Sequence, residues 1–193
     1  MARWPAPLRC KSRLARGIGP RRAASVQQRL QAHTLAELQQ SCRLLRCDGW
    51  LAIAGAGVRG ASRLPLADWL TQVDQGRGSL GLRMQRQFVR AFRCGYRQVV
   101  LIGSDLPRLG GSDLQQAFAA LSRSPAVLGP ATDGGYWLIG LSRPAPDLFA
   151  GIAWGSDQVL SQTCARAAAL ALPLTLLRQQ SDLDRESDLA PWR

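Results

Sequence analysis

The sequence predicts an α/β fold in which a mostly parallel sheet is covered by helices on both faces. Three observations carry that prediction. Short apolar β-rich runs alternate with amphipathic helical patterns along most of the chain. One run, Val99-Val100-Leu101-Ile102, flanked by Arg97 and Pro107, reads as a buried strand of a parallel sheet. That run leads straight into Gly103-Ser104-Asp105-Leu106-Pro107, and a carboxylate at the C-terminal end of such a strand lies where open α/β sheets bind ligands.

The elements follow in order. Residues 21–46 read as a long helix with Leu35, Leu38, Cys42 and Leu45 on one apolar face and Pro20 in its first turn. Residues 50–54 form a strand ended by Gly55-Ala56-Gly57, followed by a short helix over 62–70 and a short strand over 71–73. Ser79 caps a helix over 80–93 whose buried side is Leu80, Met84, Phe88, Ala91 and Phe92. Next come a strand over 98–103, a helix over 112–121, and strands over 126–128 and 136–141. A helical turn over 146–149 precedes a helix that Ser156 caps and that runs to about residue 170, with Val159, Leu160, Thr163 and Ala167 inward. A last strand over 174–177, an acidic turn over 181–184 and a terminal helix over 186–192 complete the chain. No repeat, low-complexity tract or linker interrupts it, so residues 1–193 read as a single domain.

Bulk properties narrow the function classes. The chain has 193 residues, 46% of them hydrophobic, which suits a globular fold with a full core. No apolar run approaches the ~20 residues of a membrane span. The start lacks the apolar stretch of a signal peptide, so a cytoplasmic protein is expected. The formal net charge is +12, yet the arginines are scattered and no aromatic-rich basic stripe appears. We therefore expect no specific nucleic-acid partner, although such a field attracts a phosphate-bearing small molecule. Five cysteines, none in a Cys-x-x-Cys pair, indicate reduced thiols rather than a disulfide framework or a zinc site. His33, the sole histidine, falls in a helical pattern, which excludes histidine-dependent triads and three-histidine metal sites.

Five motifs can carry chemistry. The loop Ala2-Arg3-Trp4-Pro5-Ala6-Pro7-Leu8-Arg9-Cys10-Lys11-Ser12-Arg13 is stiffened by two prolines and crowded with cations. Such a loop leading into a helix can hold a diphosphate, and Lys11, the only lysine, supplies a compact point charge that arginine does not mimic. A solvated basic terminus is the alternative. Asp105 suits a hard divalent cation, which takes one or two protein carboxylates plus substrate phosphates; the alternative is a turn or capping aspartate. In Asp133-Gly134-Gly135-Tyr136-Trp137, paired glycines admit a ligand close to the backbone, and Asp133 can bind hydroxyls or act as a base; an ordinary Asp-Gly turn is the alternative. Asp182 and Asp184 alternate along an extended segment and can face one cation, or can cap the last helix. Trp154 can line a substrate pocket or pack in the core.

The segments ARWPAPLRCKSRLA, QGRGSLGLRM, VVLIGSDLP, VLGPATDGGYWLIGL, IAWGSDQVL and SDLDRESDL occur in the order seen in a bacterial family. The chain resembles the glycosyltransferase-A-like proteins described as radical-SAM/selenodomain-associated transferases, some linked to arsenosugar biosynthesis. The resemblance covers essentially the whole chain. It implies a nucleotide-diphospho-sugar transferase fold, a three-layer sandwich around a mostly parallel central sheet. It also implies a metal-dependent glycosyltransferase that uses a nucleotide-sugar donor and an acceptor the sequence does not name. A nucleotidyltransferase releasing pyrophosphate, or a non-catalytic nucleotide-binding remnant, is the alternative.

By the same resemblance, Arg3, Lys11, Arg13 and Gly78 would contact the nucleotide and its phosphates. Asp105, with Asp184 or Asp182, would hold Mg²⁺ or Mn²⁺. Asp105 and Asp133 would be the catalytic carboxylates, and Gly134, Gly135, Tyr136 and Trp154 would shape the sugar or acceptor pocket. The chain departs from the family in three places. The first strand is missing or reduced to Met1 and Ala2, which implies a start codon placed too late or a compromised protein. The glycine usual after the second proline is Leu8, and the usual GDLGERM is GSLGLRM at 78–84, with two acidic side chains lost. Donor, base, acceptor and oligomeric state stay open at this level.

Overall fold

Three parallel strands build one sheet of the chain. The computed structural model describes residues 1–3, 5–54 and 69–192. β1 (Ala2–Arg3) pairs with β2 (Gly49–Ala54), Ala2 opposite Ile53 and Arg3 opposite Ala54. β2 pairs in turn with β3 (Leu70–Asp74). A parallel connection needs a crossover, and α1 (Ser12–Ile18) with α2 (Pro20–Leu45) supplies it between β1 and β2. The first strand, expected to be missing or reduced to Met1 and Ala2, is a two-residue strand, Ala2–Arg3. The turn expected at 55–57 and all but the end of the helix expected over 62–70 lie outside the described residues. Among the described residues, no helix is long and apolar enough to cross a membrane.

The chain divides into two compact units. The first comprises Met1–Asp74, Gly103–Gly111 and Asp182–Arg193; the second comprises Gln75–Ile102 and Ser112–Ser181. In the first, Leu14, Ala23, Leu30 and Leu183 form a buried cluster with Ala15, Ile18, Val26 and Leu189 against it. Each fully buried leucine contributes about 2 kcal/mol. The cluster joins α1, α2 and the chain around the 3₁₀ helix Glu186–Trp192.

α2 starts at Pro20, as its fixed φ favours. Of the expected buried face only Cys42 is buried. Ala23, Ala24, Gln27, Leu30, Thr34, Ser41 and Cys42 are buried, whereas Leu35, Leu38 and Leu45 are only half-buried. Three of the seven buried side chains are uncharged polar groups, so a count of apolar spacing meets the buried stripe only at Cys42.

The second unit holds β4 (Val99–Ile102), β5 (Ala126–Pro130), β6 (Tyr136–Leu141) and β7 (Leu174–Leu176) in the order β4-β6-β5-β7. β5 and β7 are parallel, but β6 runs antiparallel to both β4 and β5. The Ala131–Gly135 link is too short for a crossover, so β6 must return as a hairpin arm. β4 therefore lies beside an antiparallel neighbour in this sheet, not inside a parallel one, and only Ile102 of its residues is buried. β5 and β6 are the buried strands instead.

Ser79 caps α3 (Leu80–Arg93) as expected, accepting from the Leu82 N–H at 3.3 Å. Met84, Phe88 and Ala91 are buried with Gly81 and Gln87, but Leu80, in the first turn, is 39% exposed. α4 (Gly111–Leu121) buries Asp113. That carboxylate accepts from Arg178 Nε at 2.6 Å and Nη2 at 2.8 Å, and from Gln180 Nε2 at 3.0 Å. The bidentate pair anchors the chain that follows β7. α5 (Val159–Ala169) is capped at Gln158 rather than at Ser156. The Ser156 hydroxyl instead accepts from Gln158 N–H at 3.2 Å and donates to Ala153 O at 2.8 Å, closing the turn before the helix. Val159, Thr163 and Ala167 point inward, and Leu160 is half-buried.

Gly134 joins the β5–β6 turn to the start of α5. Its carbonyl accepts from Leu160 N–H at 2.8 Å, its φ is +87°, and a Cβ there would meet Asp157 O at 2.0 Å. Backbone cannot move aside as a side-chain tip can. Gly134→Ala should therefore destabilise the protein by about 3 kcal/mol, combining left-handed strain with overpacking. Urea denaturation checks this; a change below about 0.5 kcal/mol would show that the turn relaxes freely.

Candidate functional site

The site begins in the loop between β1 and α1. Arg9 N–H donates to Ala6 O at 3.1 Å, closing a turn with Pro7 second and Leu8 third. Leu8 has φ +64°, and a positive φ at that position is the type II pattern that favours glycine. Leu8 is 87% exposed, so no packing offsets the strain. Lys11 is left-handed as well, φ 49° and ψ 48°, immediately before α1.

Lys11 is the centre of the site. Its side chain is 2% exposed. Nζ lies 3.0 Å from Asp105 Oδ2, donates to Leu183 O at 2.5 Å, and stands 4.0 Å from Asp184 Oδ1. Arg13 Nη1 donates to Asp184 Oδ2 at 3.0 Å. Asp105 and Asp184 are therefore brought to one ammonium and face the basic loop. The backbone reinforces this: Leu183 N–H donates to Asp105 O at 2.9 Å. Leu183 is itself in the buried cluster, so it pins the acidic turn from the core side. Asp184 thus faces Lys11 and Arg13, while Asp182, across Leu183, is half-buried.

Gln27 is the residue that sequence reasoning missed. It is 2% exposed, and its Nε2 donates to Asp105 Oδ1 at 3.0 Å and to Ser104 Oγ at 3.3 Å. The signal was a polar residue between Ala23 and Leu30 at helical spacing, on the face that the apolar count passed over. Ser104 Oγ lies 3.4 Å from the same Oδ1. Asp105 is thus held at both oxygens while its side chain stays 39% exposed.

Two ionisable neighbours show the local field. Burial pushes the Met1 α-amine down to about 6, with Asp105 pulling the other way. Asp188 accepts from the N–H groups of Asp184 at 2.8 Å and Arg185 at 2.7 Å. Burial raises its carboxyl, but those two bonds, with the Ser187 hydroxyl and the Arg185 charge, outweigh it and hold the group below its ordinary value. Asp188, not Asp182 or Asp184, accepts these backbone bonds at the turn before the last helix.

The other predicted residues have distinct surroundings. Arg3 is exposed at its side chain and accepts at its backbone oxygen from Gln31. Asp133, Gly134, Gly135, Tyr136, Trp154 and Gly78 belong to the second unit. Asp133 is exposed and accepts from Gly135 N–H at 3.0 Å, an Asx-type turn. Gly78 has φ +111° before the α3 cap. Tyr136 meets Trp154 edge-on at 6.4 Å, and Trp154 stacks with Phe149 at 6.5 Å. A Cβ on Gly81 would strike the Trp154 indole at 2.5 Å, so that half-buried side chain packs closely on α3. Burial pushes the Tyr136 phenol up, with the Thr163 hydroxyl opposing.

The donor set of the first unit fits a hard divalent cation. Asp105 and Asp184 are partly exposed, and each carboxylate keeps acceptor capacity beyond the bonds it already makes. A Mg²⁺-type ion takes one or two such groups and completes its shell with phosphate and water. Among the described residues, no group of three or more His, Cys, Asp or Glu side chains is arranged around one ion position. Any ion held here takes most of its ligands from elsewhere.

Fold and site together define an α/β protein of the nucleotide-diphospho-sugar transferase fold. The chain belongs to the family described as "Uncharacterized protein conserved in bacteria (DUF2064)", whose model matches residues 34–156. That match includes Asp105 and leaves Lys11 and Asp184 outside. The chain is 30% identical over 159 residues to 3-phospho-D-glycerate guanylyltransferase of Phenylobacterium zucineum (strain HLK1), covering 71% of this chain and 69% of the relative. A protein of Desulfovibrio desulfuricans G20, provisionally described as a nucleotide-diphospho-sugar transferase, matches with a TM-score of 0.86 and 30% identity over 97% of this chain and 81% of that one. Rv0371c of Mycobacterium tuberculosis H37Rv, solved in complex with manganese, shares the fold at a TM-score of 0.52 and 19% identity, with 84% of each chain covered.

Two expectations follow from the geometry. Removing the buried cation and removing its partner are unequal. Lys11→Met leaves two carboxylates that water can reach and should cost about 1 kcal/mol; Asp105→Ala leaves an ammonium in the interior and should cost about 3 kcal/mol. Chemical denaturation of both variants gives the order, and a larger loss for Lys11→Met would overturn this account of the cluster. Leu8→Gly, by contrast, should stabilise the protein by about 1 kcal/mol by relieving left-handed strain. An unchanged or lower midpoint would mean that the turn needs the leucine.

Proposed function

We propose that this protein is a metal-assisted transferase acting on a nucleotide, with the phosphates met by the N-terminal loop and the metal held by Asp105 and Asp184. The observation that carries this reading is the pairing of those carboxylates around Lys11 beside Arg13. Lys11, Arg13, Asp105 and Asp184 sum to no net charge. A divalent cation added to that group makes it positive and complementary to a polyphosphate. Mg²⁺ or Mn²⁺ bound there would neutralise charge on a departing diphosphate or pyrophosphate. The manganese complex of a protein sharing the fold supports the choice of metal.

This chain's own residues have definable tasks in that reading. Gln27 and Ser104 orient Asp105 through Oδ1, and Lys11 orients it through Oδ2. Asp188 and the buried Leu183 shape the turn that presents Asp184. Arg13, 54% exposed, holds Asp184 and is accessible to a phosphate oxygen. Lys11 is already engaged by its three neighbours, so its task is to place the carboxylates rather than to grip phosphate by itself.

The reaction we favour is nucleotidyl transfer to a phosphorylated or acidic acceptor, supported by the guanylyltransferase relative. Glycosyl transfer from a nucleotide sugar, the reaction implied by the transferase family that the sequence resembles, is the second reading. The Desulfovibrio protein's description supports it.

Binding and product assays test the site and the reaction separately. Asp105→Asn keeps an acceptor for Lys11 and should fold, yet it should weaken Mn²⁺-dependent nucleotide binding at least about tenfold, ~1.4 kcal/mol. Isothermal titration reads this, and undiminished metal dependence would remove Asp105 from the site. Incubation with nucleoside triphosphates and 3-phosphoglycerate should release pyrophosphate. Release of nucleoside diphosphate from a nucleotide sugar, without pyrophosphate, would select the second reading.

A further inference from the structure

Two sulfurs meet at the C-terminal end of α2. The helix ends at Leu45, and Arg46 turns left-handed, φ 52° and ψ 48°. Cys47 N–H then donates to Cys42 O at 3.1 Å. This six-to-one bond is the Schellman termination, which folds the residue after the left-handed position back over the last turn. An apolar contact frequently accompanies a helix end of this kind. Here both side chains are cysteines, and their Sγ atoms are 3.7 Å apart. A disulfide needs about 2.05 Å between the sulfurs. The backbone bond already holds the two residues together while the sulfurs approach.

We propose that Cys42 and Cys47 form a reversible, peroxide-oxidised dithiol, a modification site independent of the nucleotide reading. Cys47 is half-buried and Cys42 is buried, so Cys47 meets the oxidant and Cys42 resolves. The Cys47 thiolate attacks one oxygen of hydrogen peroxide. The O–O bond breaks, hydroxide leaves and is protonated to water, and Cys47 becomes a sulfenic acid. The Cys42 sulfur then attacks the Cys47 sulfur. The S–S bond forms, the S–O bond breaks, and the oxygen leaves as water with the Cys42 proton. Two electrons pass from the two thiols to one peroxide. A small-molecule dithiol reverses the step by exchange.

The surroundings agree with these roles. The Cys42 thiol beside it holds Cys47 below the ordinary thiol range, with burial and the Asp48 charge opposing, while the same contact, burial and Asp48 push Cys42 up. The more acidic thiol is the attacking one. The other three cysteines provide internal comparisons: Cys10 is buried against Ala6 O, Cys164 is half-buried, and Cys94 is exposed.

Peroxide titration of the folded protein, followed by alkylation and peptide mapping, tests the proposal. Two of the five thiols should become protected first, in a single linked peptide pair joining Cys42 to Cys47, and dithiothreitol should restore both. Cys47 should react at least about tenfold faster than Cys94. In Cys42→Ser, Cys47 should stop at the sulfenic acid and be trapped by dimedone. In Cys47→Ser, Cys42 should stay alkylatable at the same dose. Oxidation of Cys94 ahead of the pair, or cross-links between molecules in place of the internal one, would overturn the proposal. The mapping of the unaltered protein decides it even where a serine variant fails to fold.

Discussion

One buried ammonium organises the first unit. Lys11 and Leu183 are 172 positions apart in sequence, yet Nζ and the carbonyl are hydrogen-bonded. Asp105, from a third stretch of chain, completes the contact. Taking an ammonium out of water costs several kcal/mol unless acceptors replace the solvent. Those acceptors exist only when the N-terminal loop, the 103–111 segment and the acidic turn have all arrived. The cost of burial thus becomes a requirement that three segments assemble together. Leu183 makes the requirement strict: its carbonyl serves Lys11, its N–H serves Asp105, and its side chain lies in the buried cluster.

That assembly leaves Asp105 oriented and partly open. One carboxylate oxygen is met by Gln27 and Ser104, the other by Lys11. A carboxylate held this way needs no reorganisation to meet an incoming cation, which is the condition for electrostatic preorganisation. The same bonds carry a structural consequence. Asp105 is part of the fold as well as of the site, so removing its charge acts on Lys11 as much as on any ligand. A truncation to alanine mixes the two effects, and asparagine, which keeps an oxygen toward Lys11, separates them.

Much of this was legible in the sequence, and the failures have physical reasons. β6 was found at its observed limits and α3 with its cap, because apolar runs and a serine N-cap are local signals. The antiparallel pairing of β6 was missed although the short Ala131–Gly135 link sets it, because the strand's own apolar run carries no direction and the link was weighed first as a ligand turn. Ser156 looked like a cap but bonds within the preceding turn, a competition typical of short hydroxyl side chains. Asp105, Lys11 and Asp184 were singled out in the sequence and are found together, whereas their neighbour Gln27 was not. A buried amide announces itself only through its partner, and that partner is 78 positions away. Leu8, noted only as a missing glycine, shows what the glycine is for: a positive φ after a proline.

The identity of the buried cation follows from counting donors. Every other basic side chain in the protein is histidine or arginine; Lys11 is the single lysine. A guanidinium brings five N–H donors in a flat fork, and burial would leave some of them without partners. The pocket supplies two acceptors at hydrogen-bond distance and one carboxylate at 4.0 Å, a match for the three donors of an ammonium. Arginine serves at the next position outward, where Arg13 reaches Asp184 while its remaining donors stay in solvent. A composition that uses arginine almost everywhere keeps its lysine where, among the described residues, the surplus donors of arginine would be buried.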